Sequence, residues 1–213
     1  MSQICSKYSI IIKNCKAVNL LLLLIYMQHR IFIAINLPEN IKKTFLNYEA
    51  DLPDFPIKWT KKENMHITLT FIGYVKDENI PKICEAVKQA CAQHKSFKVN
   101  LNEICYGPPK KFPPRMIWAK GEESKELINL KTDLEKSLIK SEIGFLEDLK
   151  KIHIHITLGR IKAWEWKRIE PEERPDITQE TDLNFEVNSI EVMESTIKRT
   201  GAEYNILLSV KLN

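Results

Sequence analysis

The tetrapeptide His66-Ile-Thr-Leu69 occurs a second time in the chain, as His155-Ile-Thr-Leu158. Each copy lies in a segment of alternating polar and apolar residues, Met65 to Phe71 for the first and Ile152 to Leu158 for the second. A period of two is typical of a half-buried strand, so the histidine and threonine of each copy should point to one face. Because the motif occurs on two strands that are far apart in the sequence, we expect two similar lobes.

The alternation also assigns the neighbours of each motif to a face. In the first copy, Thr70 should follow the histidine and threonine on the polar face, while Phe71 should point into the core. In the second copy, His153 should lie on the polar face beside the motif histidine. The two predicted strands therefore present imidazoles and hydroxyls on one face and aliphatic side chains on the other.

The rest of the chain predicts a mixed α+β fold, because period-two and short apolar runs alternate with apolar stripes at helical spacing. The further predicted strands are Arg30 to Leu37, Phe97 to Leu101, Met116 to Ala119, Phe185 to Val192 and Tyr204 to Leu212. The predicted helices are Glu39 to Tyr48, a helix with its stripe at Ile80, Ile83, Val87 and Cys91, and a helix with its stripe at Leu127, Leu130, Leu134 and Leu138.

Composition excludes several classes of protein. A chain of 213 residues with 44% apolar content can bury a substantial core, and a net charge of +4 is too small for a strongly basic tail. The five cysteines include no Cys-x-x-Cys pair, which argues against a disulfide framework or a zinc knuckle and predicts a cytoplasmic location. The chain has no Gly-x-x-x-x-Gly-Lys-Ser/Thr loop, so ATP-driven chemistry has no support.

Residues 1–26 differ from the rest, because Lys13 and Lys16 precede the apolar stretch Ala17 to Met27. The stretch has no small-residue cleavage site and is shorter than the roughly 20 residues of a membrane-spanning helix. We therefore expect an upstream translation start or a disordered tail, followed by a single domain over 27–213, with no membrane contact and a monomeric state.

Two histidines on facing strands suit phosphodiester chemistry. An imidazole titrates near neutral pH, so one can accept a proton from water while the other donates one to a leaving alkoxide. The hydroxyls of Thr68 and Thr157 can donate hydrogen bonds to phosphate oxygens. One copy alone would favour a structural interpretation, but two copies favour hydrolysis by His66 and His155 without a metal or cofactor.

The paired His-x-Thr motifs resemble the two-histidine phosphoesterase superfamily, and their surroundings are similar to its RNA 2′,3′-cyclic phosphodiesterase (2′-5′ RNA ligase) branch. The resemblance covers the chain from about Met27 to its end. The segments that carry it, in order, are Arg30 to Ile35, Met65 to Gly73, Arg115 to Ala119, His155 to Arg160, and Glu194-Ser195 with Tyr204.

The resemblance implies a bilobal fold, with two pseudo-symmetric lobes of antiparallel sheet, helices on the outer faces and a central cleft. It also implies roles: His66 as the proton donor to the departing 3′ oxygen and His155 as the acceptor that activates water. The implied reaction converts RNA 2′,3′-cyclic phosphate ends, on tRNA-like fragments or oligonucleotides, to 2′-phosphate ends.

Two departures from the family pattern lie beside the second motif. Relatives usually have proline where this chain has Ile154, and a basic residue where it has His153. His153 is interpreted as a rim histidine that replaces the basic residue. Arg160 is a candidate phosphate contact, since a guanidinium pairs with phosphate oxygens, but its odd offset from His155 requires a bulge at Gly159 for it to share that face.

The proline-rich segment Gly107 to Pro114 predicts an exposed loop. Lys110 and Lys111 within it and Arg115 just after it lie near Phe112 and Tyr106 in the sequence, and could guide an RNA strand by charge and stacking. A solvated loop without contact to RNA is an equal alternative.

Four other functions stay open from the sequence. Zinc could bind His66, His153 and His155, although no carboxylate at a recognisable ligand spacing accompanies them. The chain could be a non-catalytic module that binds RNA ends, or a phosphodiesterase of small cyclic nucleotides, ADP-ribose cyclic phosphate or 2′-5′ oligoadenylate. Hydrolysis run in reverse would join a cyclic phosphate end to a 5′-hydroxyl with the two histidines in unchanged positions.

Overall fold

The computed structural model describes residues 28–52, 55–145, 154–199 and 201–213, so the predicted extension 1–26 and His153 lie outside the described residues. The described strands are β1 (Gln28–Asn36), β2 (Ile57–Trp59), β3 (His66–Lys76), β4 (Phe97–Gly107), β5 (Met116–Gly121), β6 (His155–Ile161), β7 (Gln179–Val187), β8 (Ser189–Lys198) and β9 (Gly201–Lys211). The described α-helices are α1 (Glu39–Asp51), α2 (Ile80–Cys91), α3 (Lys125–Lys140) and α4 (Ala163–Trp166).

The strands form one antiparallel sheet in the order β7-β4-β5-β6-β3-β1-β8-β9, with β2 paired to β6. The two motif strands, β3 and β6, are neighbours at the middle of this order. Within the described residues, the register between them consists of one pair, Ile67 with Ile156. The predicted α+β class with antiparallel strands is confirmed, and the sheet consists of two halves that meet at the motif strands.

The helices cover the apolar face of the sheet. The stripe of α3 predicted from the sequence is buried at all four of its leucines, and Ser124 caps the helix by accepting a hydrogen bond from the Leu127 amide. The stripe packs against α2 and lies in one core with Ile67 and Ile156. The histidines of the motif strands therefore face away from the helices.

Several boundaries differ from the predicted ones. The predicted strand Phe185 to Val192 is two strands, β7 and β8, which pair with β4 and β1 in opposite halves of the sheet. The alternation of β7 leads into the apolar residues of β8 without a glycine or proline between them, so the pattern did not reveal the change of partner. The motif strand β3 also continues past Gly73 to Lys76, and the short elements β2 and α4 were not predicted.

The predicted faces of Thr70 and Phe71 are wrong. A register shift between Ile33 and Ala34 of β1 adds one residue to β3 after Thr68. Thr70 consequently lies opposite Ile33 and is 4% exposed, whereas Phe71 lies opposite Phe32 and is 52% exposed. A β-bulge reverses the alternation beyond it, so Phe71, and not Thr70, shares the face of the motif histidine.

No helix in the described part of the chain is long and apolar enough to cross a membrane.

Candidate active site

The register of β3 and β6 brings the two motifs together. Because the strands are antiparallel and pair at Ile67 and Ile156, the residue before the pair on one strand faces the residue after it on the other. His66 is thus directed towards Thr157 and His155 towards Thr68. All four side chains are half-buried. The structure therefore places two imidazoles and two hydroxyls in one group on the open face of the sheet.

The hydrogen bonds of His66 define which ring nitrogen carries a proton. Its Nδ1 lies 2.7 Å from the Asn64 carbonyl oxygen, which can only accept, so Nδ1 must donate. Its Nε2 lies 3.0 Å from the Thr68 hydroxyl oxygen. Nε2 is therefore the nitrogen that gains or loses a proton on the open face. The Asn64 side chain donates to the Ala202 carbonyl over 2.8 Å, which fixes this segment to the start of β9.

Two aromatic rings surround His66. The Phe32 ring centroid lies 5.0 Å from that of the imidazole, and the Tyr204 ring lies edge-on at 5.2 Å. Burial lowers the pKa of His66; the hydrogen bond to the Asn64 carbonyl acts in the opposite direction, and the nearby His155 lowers the pKa further. In the unliganded protein the neutral imidazole is consequently favoured.

His155 lies against a different ring. The Trp118 ring stacks on the imidazole with a centroid separation of 4.1 Å and an interplanar angle of 28°. The indole of Trp118 packs closely over Gly107 on β4, where a Cβ would lie 2.2 Å from the ring, so the absence of a side chain there makes room for it. The hydroxyl of Thr157 lies 3.9 Å from the Met116 sulfur. The two motifs therefore have similar backbones but different aromatic neighbours.

Arg160 lies on the face of the histidines. A register shift between Ile117 and Trp118 adds a residue to β6, so Arg160 pairs with Met116 on one side and with Lys58 on the other. This shift supplies the bulge that the odd offset from His155 required, with Leu158 and not the expected Gly159 as the added residue. Arg160 and Lys58 are both exposed. They place positive charge beside the group of histidines and threonines.

The proline-rich loop and the neighbouring Tyr106 contact residues outside the histidine group. Phe112 is 78% exposed, and the guanidinium of Arg174 lies 5.5 Å from its ring centroid. Tyr106 donates its hydroxyl proton to the Pro175 carbonyl over 2.7 Å, and its ring packs on Trp166. Lys110, Lys111 and Arg115 are exposed. Tyr106 thus has structural contacts, and the loop presents mainly charge to solvent.

One other concave region of the described residues is unsuited to phosphate. A cavity of about 650 Å³ lies between α1 and the start of β7, but its lining includes the carboxylates of Asp51, Asp176, Glu180 and Asp182. Carboxylates repel a phosphate. Within the described ranges, no three His, Cys, Asp or Glu side chains come close enough together to hold a metal ion.

Sequence reasoning found the two motifs but not the contacts of the side chains that surround the two histidines. Phe32 and Trp118 were within segments of family resemblance, without a reason to contact an imidazole. Asn64, two residues before His66, could not be identified from the sequence. It acts through its main-chain carbonyl, which accepts from His66, and through a side-chain hydrogen bond to the distant Ala202. Such contacts depend on the tertiary fold and leave no periodicity in the sequence.

Comparison with known proteins agrees with the motif pattern. A family model described as LigT like Phosphoesterase matches residues 35–118. A Thermotoga maritima protein named RNA 2′,3′-cyclic phosphodiesterase is 32% identical, over 84% of this chain and 92% of its own length. A Methanocaldococcus jannaschii protein of that name is 28% identical, over 84% of this chain and 98% of its own length.

The fold is also found among solved structures. A crystal structure of a Thermus thermophilus protein superposes with a TM-score of 0.73 at 23% identity, and the match covers 86% of this chain and 97% of the other. The fold is thus shared, and the match to the Thermotoga maritima relative extends over nearly its whole length. The chain belongs to the LigT-like phosphoesterase family of two-histidine phosphoesterases.

Proposed function

We propose that this protein hydrolyses 2′,3′-cyclic phosphate ends of RNA to 2′-phosphate ends, with His66 and His155 as a general acid and base. The observation that carries the proposal is the juxtaposition of two His-x-Thr motifs across the β3–β6 pair, with both histidines on the open face. The names of the relatives from Thermotoga maritima and Methanocaldococcus jannaschii support the substrate class.

The proposed step is an in-line displacement at phosphorus. His155 accepts a proton from water as the water oxygen bonds to phosphorus, and the bond from phosphorus to the 3′ oxygen breaks. His66 donates the proton on Nε2 to the departing 3′ oxygen, which leaves a 3′-hydroxyl and a 2′-phosphate. After one turnover the two histidines have exchanged protonation states, and exchange with solvent restores them.

The threonines and Arg160 would stabilise the charge on the phosphoryl oxygens. Thr68 and Thr157 each present a hydroxyl donor beside the histidine of the opposite strand, so a phosphate between the motifs can bond to both. Arg160 adds a guanidinium from the end of β6, where the bulge directs it to the open face. These groups bind the developing charge without a metal in the step.

The proposed acid must be protonated although burial lowers the pKa of His66 in the unliganded protein. A bound phosphodiester brings a negative charge next to the imidazole, and an opposite charge favours the charged form of a histidine. Nδ1 already donates to Asn64, so the added proton occupies Nε2 on the open face. Substrate binding would therefore protonate the acid where it is used.

The test is hydrolysis, in EDTA, of a short RNA with a 2′,3′-cyclic phosphate end, with the position of the product phosphate determined by phosphorus NMR. Wild-type protein should yield a 2′-phosphate. His66→Ala and His155→Ala should each lower kcat by at least about a hundredfold, the scale of losing a general acid or base. His94→Ala is a matched control, since His94 pairs with Asp133 in a different part of the fold.

A module that only binds RNA ends would give a different pattern. It would show no turnover with the wild-type protein, and His66→Ala would lower affinity. Loss of activity in EDTA with recovery on adding zinc would instead favour a metal mechanism. The reverse reaction, which joins a cyclic phosphate end to a 5′-hydroxyl, uses the proposed groups in exchanged roles, and in water we expect hydrolysis to dominate.

A further inference from the structure

Two large aromatic side chains are exposed on the open face of the sheet, beyond the histidine group. Phe71 is 52% exposed and Tyr74 is 62% exposed, and both belong to the motif strand β3. Neither has a role in the proposed chemistry at the phosphate. Exposed aromatic side chains in a row on one face are typical of surfaces that bind a partner.

The face of Tyr74 follows from a second bulge in β3. A register shift between Ile31 and Phe32 of β1 adds one residue to β3, and Gly73 has a φ of +91°, a backbone conformation that favours glycine. Tyr74 pairs with Arg30, which lies two residues before Phe32 on β1 and so shares its face. Phe71 and Tyr74 are therefore both on the open face.

The aromatic rings continue outward from the catalytic group. The Phe32 ring lies 5.0 Å from His66 and 6.2 Å from Phe71, and Tyr74 follows Phe71 along the strand. On β1, Asn36 pairs with His66 and Arg30 with Tyr74, so Tyr74 lies six strand residues, about 20 Å, from His66. One nucleotide does not extend that far, so Tyr74 would contact a nucleotide upstream of the terminal one.

Charge favours a nucleic acid as the occupant of this face. Arg30 is exposed and forms no ion pair with the residues that the structure describes, so its guanidinium is available beside the Tyr74 ring. Lys76, farther along β3, is also exposed but is paired with Glu78, so Arg30 is the cation on which the charge argument rests. Aromatic rings that stack on bases, with cations for the phosphates, are the usual elements of a surface for single-stranded RNA.

We propose that Tyr74 and Arg30 form a binding site for a base and phosphate of single-stranded RNA, upstream of the terminal nucleotide. The proposal rests on the proposed function and specifies its substrate: an unpaired RNA 3′ end of several nucleotides, in preference to a cyclic mononucleotide. Phe71 would lie under the bases between the terminal ribose and Tyr74. The tyrosine ring stacks on the upstream base, and the guanidinium contacts its phosphate.

The test compares kcat/KM for a cyclic mononucleotide, a dinucleotide and a hexanucleotide, all with 2′,3′-cyclic phosphate ends. The wild-type protein should prefer the hexanucleotide. Tyr74→Ala should lower the ratio of hexanucleotide to mononucleotide activity by about tenfold, within the range for loss of one base stack. Tyr74→Phe keeps the ring and should retain the ratio. Ile139→Ala, an exposed apolar change on α3, should leave both activities unaltered.

Binding measurements separate this proposal from the proposed function. In the His155→Ala background, fluorescence anisotropy of a labelled hexanucleotide should show weaker binding after Tyr74→Ala or Arg30→Ala, whether or not turnover exists. Equal losses on all three substrates, or unaltered hexanucleotide binding, would overturn the proposal. Weaker self-association of Tyr74→Ala with an unaltered activity ratio would also overturn it, and would assign the face to a second copy of the chain.

Discussion

The charge on His66 depends on the side chains that exclude water from it. Phe32 and Tyr204 cover the imidazole, and burial is the largest cause of its lowered pKa. Tyr204 is half-buried at the start of β9, and its ring is the outer of the two. The Tyr204 ring also packs edge-on against Phe32 at 5.1 Å, so its removal should hydrate His66 and loosen this cover, and the pKa of His66 should rise towards its usual value.

We therefore expect Tyr204→Ala to move one limb of the pH profile of kcat/KM. If His66 is the acid, activity is lost as pH rises through its pKa, so the alkaline limb should move to higher pH. If His66 were the base, the acidic limb would move to higher pH instead. The measurement is the pH profile with a cyclic-phosphate RNA, with Tyr204→Phe as the control that keeps the ring. A profile in which neither limb moves would show that burial by Tyr204 does not control this titration.

The histidines and threonines could be predicted from the sequence, but Arg160 and Phe71 could not be placed by alternation alone. Each copy of the motif spans only four residues and precedes the bulge, so period two assigns its own side chains correctly. Both strands contain a bulge after the motif threonine, and one added residue moves the side chains that follow it to the other face until a second bulge occurs. The bulge depends on pairing with β1 and β5, which the local pattern does not contain.

At the scale of elements, His29 joins three segments at the far end of the first motif strand. It lies in β1 and contacts Glu194 on β8 through Nδ1 and Asp77, just after β3, through Nε2. Burial alone would lower the pKa of His29, but the hydrogen bonds to Glu194 and Asp77 outweigh this effect and raise it. The protonated imidazole can donate to both carboxylates at once.

The raised pKa predicts a pH dependence of stability. A group whose pKa is higher in the folded state stabilises fully below its unfolded value, near 6.5, and this contribution is lost as pH rises through the folded pKa. The free energy of unfolding of the wild type should exceed that of His29→Gln at pH 6, and the difference should decrease by pH 9. Urea denaturation at both pH values measures it. If the difference in unfolding free energy did not change with pH, protonation of His29 would not contribute to stability, and the hydrogen bonds of the neutral ring would account for its effect.

The predicted helices were more accurate than the predicted strands. The leucine stripe of α3 has a period that only one helix face satisfies, and its four leucines are fully buried. The segment from Gln179 to Lys198 instead contains two strands that separate at Asn188 and belong to opposite halves of the sheet. Short-range patterns specify an element, but the partner of a strand is determined by the rest of the fold.

At the scale of the molecule, the helices connect the two halves of the sheet. The helix α1 follows β1 in one half, yet its Tyr48 donates a hydrogen bond to the Ile177 carbonyl, just before β7 in the other. The helix α3 follows β5, yet it packs on α2 and β3. The buried side chains of both halves lie mainly in one core. Movement of one half relative to the other would therefore disturb that core.

The position of one motif relative to the other should consequently depend on Ile156, which pairs with Ile67 at the junction and is fully buried. Ile156→Ala should cost about 2–5 kcal/mol of unfolding free energy, as large-to-small core substitutions do. Ile83→Ala, at a fully buried position in α2, should cost a similar amount. Urea denaturation measures both, under conditions where each variant is still folded.

Activity should separate the two variants. A displacement of about 1 Å between reacting groups can lower a rate a hundredfold. Of the two substituted residues, only Ile156 is next to the motif side chains, since it lies between His155 and Thr157 in β6. We expect kcat per folded molecule to decrease by about tenfold or more in Ile156→Ala. It should remain near wild type in Ile83→Ala, because the cavity left by that substitution lies in α2 and not in a motif strand. If the two variants had equal kcat values, the Ile156 side chain would not control the distance between the histidines. The packing of the helices alone would then hold the two motifs in place.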